Sequence, residues 1–410
     1  MVDIDLHRTL LNLSTCLDFT RRGLGNHHRR VALTALRLGR AAGMAARELA
    51  EVFLAALLHD LGAVTWSEKT PLEEFEIADP WAHCRRGYEF TAGVDTLGSL
   101  AEVILCHHDR WAGPNPSGYS GDGIPLAARV IHLADRVDVL IDGRVFILDQ
   151  KEEIMRRIAE NAGRIFDPEL TAVFMDLARA ESFWLDLTAP CLDEELLARA
   201  GAQLRKLPVH SLLPLARLFS RVIDAKSPFT FRHSRGVAAV SVYLAARLGF
   251  DAEECLLMEV SGLLHDLGKL SVPEQVLEKP GRLDEREFNL IKQHTYYTYR
   301  WLAPSFPALP VAQWAAYHHE KLNGRGYPFR LAAAQLDRGA RIVAAADVFT
   351  ALKEDRPYRA GLRWPDIERI INRQAAEGGL DAGVTEVLCA GRRELEALWE
   401  ELSAGFSRSS

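Results

Sequence analysis

A chain of 410 residues, 48% hydrophobic and 26% charged, is composed like a soluble globular protein and is long enough for two or three domains, each with its own core. Its formal net charge of −7 offers no broad basic face, so a nucleic-acid polymer is not the expected partner, and an anionic substrate must be met by a local group of Lys or Arg. Six scattered cysteines (Cys16, Cys84, Cys106, Cys191, Cys255, Cys389) form no close-spaced pair, which suits a reducing compartment and excludes a sulfur-rich zinc site.

The N-terminal segment MVDIDLHRTLLNL is charged too early for a signal peptide. The most apolar runs, such as Phe53–Leu58, are too short to span a bilayer. A cytoplasmic protein without membrane attachment is therefore expected. EVFLAALLHDLG reads as a buried helix stopped at Gly62. QKEEIMRRIAEN and PELTAVFMDLAR read as closing helices of a first half, followed by a connector that runs to about residue 205. In RHSRGVAAVSVYLAARLGF, Val237, Val240, Leu244 and Leu248 fall on one helical face. EVSGLLHDLGKL repeats the buried helix of the first half and stops at Gly268. Further helices are expected from about 365 to 405. No period-2 strand is evident, so the fold class is all-α: a tandem duplication of one helical bundle, with domains at 1–204 and 205–410.

The duplication shows most clearly in its histidines. The second half carries His233, His265–Asp266, His294, His318–His319 and Asp347; the first carries His27, His59–Asp60, His83, His107–His108 and Asp135. Residues 233 and 265 are 32 apart, as are 27 and 59; 294 and 318 are 24 apart, as are 83 and 107. Ten of the 14 histidines belong to these two sets, which points to one shared purpose, a metal cluster in each half. A pair of divalent ions needs neutral imidazoles and a carboxylate whose two oxygens can each reach one ion. Neighbouring helical residues point about 100° apart, so His265–Asp266 can address two ions, with Asp266 as the bridge. His233 and Asp347 would complete one shell, and His294, His318 and His319 the other. Imidazole and carboxylate donors without thiolate favour two divalent ions per site, iron or manganese, over structural zinc.

Beyond the ligands, the second half resembles the HD-GYP family of HD-superfamily phosphodiesterases. The matching stretches are HSRGV, LLHDLGKLSVP, LEKPGRL, KQHT, HHEKLNGRGYP, AADVF and RPYR, covering about 207 to 365. The resemblance implies an all-α HD-superfamily bundle that hydrolyses a cyclic dinucleotide, cyclic di-GMP or a relative, with a hydroxide between two metal ions as nucleophile. It implies Asp266 and Lys269 as catalytic groups. Lys269 would neutralise the phosphate or protonate the leaving oxygen. It implies Tyr327 and Gly326 of the Gly-Tyr-Pro loop, together with Arg356 and Arg359, as substrate contacts; Gly324 and Gly326 would allow the tight turn. Some members hold a third ion with a glutamate four residues before the first histidine; that position is Phe229 here, so two ions are expected.

The first half keeps every ligand position but not the rest. Ala63 stands where Lys269 stands in the second copy, Ser120 replaces the proline of the loop, and Ile147 replaces Arg359, while Arg144 matches Arg356. A metallated, weakly active or regulatory half is expected. Two readings from other classes stay open: a non-catalytic cyclic-dinucleotide sensor, and a di-iron oxygenase of the HD type. Metal identity, base preference, regulatory input and oligomeric state, whether a homodimer or a complex with a signalling partner, are not fixed by the sequence.

Overall fold

The helices form where the apolar spacing places them, and five in each half carry or directly precede the repeated His and Asp positions. A computed structural model of the chain describes residues 3–20, 23–190, 192–199, 206–226, 233–355 and 360–406. It divides into two compact units, Asp5–Leu207 and Met1–Ile4 with Pro208–Ser410. In the first unit the site-bearing helices are α1 (His27–Ala41), α2 (Ala46–Leu58), α3 (Trp81–Ala92), α4 (Ala101–Cys106) and α5 (Leu126–Val139). Their counterparts in the second are α6 (His233–Arg247), α7 (Ala252–Leu264), α8 (Glu285–Ser305), α9 (Val311–Ala316) and α10 (Arg338–Lys353). Between the units, α1 matches α6 at 15 residues, α2 matches α7 at 13 and α4 matches α9 at six.

Local signals set the helix ends. Asp251 and Glu254 form a capping box at the start of α7, Asp284 and Glu287 one at the start of α8, and Asp337 caps α10. In each unit the core lies where the first helix packs against the second and the fifth. Val31, Val52, Phe53, Leu57, Val130 and Ile131 fill it in the first unit, and Val237, Leu244, Met258, Val260, Val343 and Phe349 in the second, all buried. Burying each such side chain contributes about 1.5–3 kcal/mol.

Two expectations change in detail. The described residues do contain strands, Asp3–Asp5, Phe19–Thr20, Gly23–Leu24 and Lys206–Pro208, too short for an alternating pattern to register. Gly62 and Gly268 are not helix stops. Helices α2 and α7 end earlier, at Leu58 and Leu264, and neither glycine has a positive φ. What each requires is room: a Cβ would lie 2.0 Å from the His83 carbonyl oxygen at Gly62, and 1.8 Å from that of His294 at Gly268. Each glycine lets the next histidine-bearing helix press against the His–Asp turn. No described helix is long and apolar enough to cross a membrane.

Candidate metal centres

In the second unit the chain brings seven predicted ligands together from five helices. One cluster is His233, His265 and Asp347, and another is His294, His318 and His319; in each, one donor atom per residue lies within 4.8 Å of the others. His233 Nε2 stands 3.0 Å from Asp347 Oδ1, and His294 Nε2 stands 3.3 Å from His318 Nε2. Asp266 lies between the clusters. Its Oδ2 is 3.1 Å from His265 Nε2 and 4.0 Å from His233 Nε2, while its Oδ1 is 3.6 Å from His294 Nε2. One carboxylate thus turns a different oxygen to each group.

The backbone aims these rings. The Nδ1–H groups of His265, His294 and His318 donate to the carbonyls of Gly262, Ile291 and Ala315, at 2.8, 2.6 and 2.7 Å. That bond turns each Nε2 lone pair inward. His233 is aimed by Glu354, whose Oε2 is 3.0 Å from its Nδ1. Burial pushes the His294 pKa down to about 3 and holds His318 well below the usual imidazole range, so both stay neutral, as ligands must. Burial works against ionising Asp266, yet His265 and Lys269 hold its pKa well below the carboxylate range. Burial also opposes charging His233, but Asp347 and Glu354 raise it to about 10.

Lys269 sits at the mouth, its Nζ 2.6 Å from Asp266 Oδ2. Tyr327 lies tilted by 40° against His319, ring centroids 5.0 Å apart, and meets the exposed Phe288 edge-on at 6.0 Å. The Gly-Tyr-Pro loop is tied down by Glu320, whose carboxylate accepts from Phe329 N (2.7 Å) and Leu331 N (2.9 Å). Gly324 has φ 72°, as a tight turn requires. Gly326 does not; it gives clearance, since a Cβ would lie 2.4 Å from Glu320 Cα. Arg356, Arg359 and Phe229 lie outside the described residues.

The first unit rebuilds the centre with altered surroundings. His27, His59 and Asp135 form one cluster, and Asp60, His83, His107 and His108 the other. Asp60 Oδ1 is 3.2 Å from His83 Nε2 and Oδ2 is 3.5 Å from His59 Nε2, so this carboxylate also faces both ways. His59 and His107 Nδ1–H donate to Ala56 and Ile104 carbonyls at 2.9 and 2.6 Å, and Asp138 Oδ2 orients His27 at 2.8 Å. Burial pushes His59 down to about 3. Where the second unit has Val348, the first has Arg136, whose Nη2 is 2.6 Å from Asp135 Oδ2 and 3.2 Å from the Leu72 carbonyl. His108 is more closed over, its side chain 3% exposed against 32% for His319, with the His132 ring edge-on at 5.5 Å. Ala63 is buried among Leu72 and Ile77. Arg144 is taken up by an exposed pair with Asp142, and Ile147 is buried.

Several groups escaped the sequence reading. Asp138 and Glu354 follow the ligand aspartates by three and seven residues, so an acid on that helical face was the available signal. His28, bonded through Nδ1 to Asp18, lies beside His59 and Asp60. Cys84 stands 3.7 Å from His83 Nε2, a thiol at the edge of a donor set read as sulfur-free. Arg136 gave no local signal, and Glu320 stood inside the HHEKLNGRGYP stretch without a role assigned to it.

The donor sets fit a metal ion. His265 Nε2, His108 Nε2, Asp60 Oδ1 and Asp135 Oδ1 are buried without a hydrogen-bond partner. Each such orphaned atom costs about 1–3 kcal/mol unless a cation takes it up. Donor separations of 3.0–4.0 Å suit atoms sharing one ion about 2.1 Å from each.

Comparison with known proteins gives two matches to the HD domain family, at residues 24–140 and 217–384. The 3'3'-cGAMP-specific phosphodiesterase 1 of Vibrio cholerae is 32% identical over 401 residues, covering 94% of this chain and 91% of that protein. The cyclic di-GMP phosphodiesterase response regulator RpfG of Xanthomonas campestris is 31% identical over 299 residues, 70% of this chain and 76% of that one. The crystal structure of the cyclic GMP-AMP specific phosphodiesterase V-cGAP3 of V. cholerae superposes with a TM-score of 0.70 at 25% identity, covering 96% of this chain and 98% of that one.

Proposed function

Since the chain belongs to the HD-GYP phosphodiesterase family, with two HD domains in tandem, we propose that its second unit hydrolyses a 3'3'-cyclic dinucleotide to a linear product. The observation that carries this reading is Asp266, which presents one oxygen to each histidine cluster while Lys269 reaches it at 2.6 Å. Among substrates, 3'3'-cGAMP comes first, because it is named in the relative that spans both units; cyclic di-GMP comes next.

Two divalent ions per unit, iron or manganese, would supply Lewis acidity toward the phosphate and lower the pKa of coordinated water. His233, His265 and Asp347 hold one side of the centre, His294, His318 and His319 the other, and Asp266 spans them. In the first unit His27, His59 and Asp135 face His83, His107 and His108 across Asp60. Hydrolysis breaks one P–O ester bond and forms a P–O bond to the water oxygen, leaving a phosphomonoester, and the departing sugar oxygen must gain a proton. Lys269 is the group placed to hold that proton and to neutralise the phosphate. Tyr327 lines the approach, Gly326 lets its loop lie close to Glu320, and Arg356 and Arg359 grip the phosphates bidentately. The first unit is regulatory or weakly active: Ala63 brings no ammonium, Arg136 occupies an oxygen of Asp135, and His108 is almost fully covered.

The test is hydrolysis of a panel of cyclic dinucleotides by anaerobically purified, metal-loaded protein, resolved by chromatography. Cleavage that chelator abolishes and iron or manganese restores is expected. Metal-loaded protein that binds a cyclic dinucleotide yet leaves every one uncut would favour the sensor reading.

A further inference from the structure

His28 follows a ligand histidine directly, at the start of α1, and is 2% exposed. Its backbone N–H and Nδ1 both bond Asp18 Oδ1, an arrangement that fixes the ring and turns Nε2 away from Asp18. Nε2 is buried and has no hydrogen-bond partner. One ring nitrogen of His28, one of His59 and a carboxylate oxygen of Asp60 lie within 4.8 Å of one another, and the His28 and His59 ring centroids are 4.9 Å apart.

The second unit keeps the carboxylate but not the imidazole. There the same two places hold Asp224 and Ser234, ten residues apart as Asp18 and His28 are, with Ser234 Oγ 3.3 Å from Asp224 Oδ1. A hydroxyl on that short stem does not replace an imidazole nitrogen. The carboxylate common to both units therefore orients a nitrogen donor in the first alone.

We propose that His28 is a metal ligand of the first centre with no counterpart in the second. This rests on the reading of the His–Asp clusters as metal centres and deepens it. His28 then adds a nitrogen donor beside His59 and Asp60 to a centre that also draws on His27 and Asp135, whereas the second centre has His233, His265, Asp266 and Asp347 with Ser234 in place of that imidazole. For a six-coordinate ion each added protein donor closes one position that water would otherwise take. Hydrolysis needs room for both water and a phosphate oxygen, so the first centre is closed toward chemistry and retentive of its ion. That is the pattern separating structural from catalytic metal sites.

The experiment is metal retention by the full chain. Manganese-loaded protein is dialysed against graded chelator, and the metal left per chain is measured by elemental analysis. Asp60→Asn and Asp266→Asn assign the released fractions to the first and second centres. The first-centre fraction of the wild type is expected to be the tighter. His28→Ser, which copies Ser234, should weaken that fraction about tenfold or more and leave the other unmoved. His28→Gln, which keeps volume and a hydrogen-bonding group near Asp18, carries the test if the serine variant does not fold. Ser234→His should tighten the second-centre fraction. First-centre retention unchanged in a folded His28 variant would overturn the ligand assignment. A wild type that retains no metal under any preparation would instead overturn the metal-centre reading beneath it.

Discussion

Five ligand histidines, His59, His107, His265, His294 and His318, give their Nδ1–H to the carbonyl three residues earlier, so each needs only a helical turn before it to be aimed. That is why the candidate donors could be picked out by spacing, while the groups that aim the other rings were missed. Glu354 reaches His233 across 121 residues of chain and Asp138 reaches His27 across 111. Each acid follows its own aspartate at helical spacing, but nothing local joins it to the histidine it aims. Lys269→Ala should leave metal content unchanged and reduce turnover at least a hundredfold, the usual scale for losing a positioned acid. Elemental analysis beside steady-state rates checks it, and unchanged turnover would remove the lysine from the mechanism. The imidazoles also set a pH signature. In metal-free protein His27 and His233 are raised from 6.5 to about 9 and about 10, so the stability they contribute is full below 6.5 and is lost as pH rises through those values. His59 and His294, lowered to about 3, act oppositely: the unfolded chain binds more protons than the fold between 3 and 6.5, so stability falls as pH drops there. The thermal midpoint of chelated protein should therefore peak near pH 6.5. Metal retention should rise with pH above that point, because an ion must displace the protons on His27 and His233. A midpoint climbing steadily to pH 9 would contradict the assignment.

Helices were legible from apolar spacing, but the reason for a glycine at the end of HDLG was not. A glycine after an apolar helix reads as a terminator; here its missing Cβ makes space for the His83 or His294 carbonyl, a neighbour visible only after folding. Gly268→Ala should cost about 1–3 kcal/mol, as overfilled cores do, and displace α8 from the His–Asp turn. A lowered melting temperature together with loss of second-centre metal is the expected readout, and Gly62→Ala should do the same to the first centre alone. A stop signal without a packing role predicts a small stability change and intact metal. The Gly-Tyr-Pro loop gives a second case. Its glycines and tyrosine were readable, whereas the buried Glu320 that holds it was passed over as part of the motif. Glu320→Gln should loosen the loop, raising KM more than it lowers kcat.

Across the whole chain the repeat is nearly rigid in sequence. The offset between copies is 206 at His27/His233 and His59/His265, 211 at His83/His294 and His107/His318, and 212 at Asp135/Asp347. Five of the six added residues fall between the second helix and the third, in the stretch holding LEKPGRL, and the sixth between the fourth and the fifth; ligand order survives them. Equal ligands did not mean equal surroundings: Arg136, His28 and Cys84 have Val348, Ser234 and Thr295 at the matching places, and only the fold showed that these positions border the centre. Removing each bridging carboxylate separates the two units. Asp266→Ala should abolish hydrolysis, while Asp60→Ala should lower metal per chain and leave at least a tenth of the rate. Equal losses would make both units catalytic.

Because the carbonyls that steer five of the ten candidate imidazoles belong to the turns that carry them, half of the nitrogen cage is aimed by local backbone before any cation arrives. A cage already built offers no folding step by which to prefer one element over its neighbours. Choice then falls to intrinsic affinity order and cellular supply. Cells raised on manganese and cells raised on iron should yield the same protein carrying different ions, so that its turnover becomes a readout of the host's mineral diet.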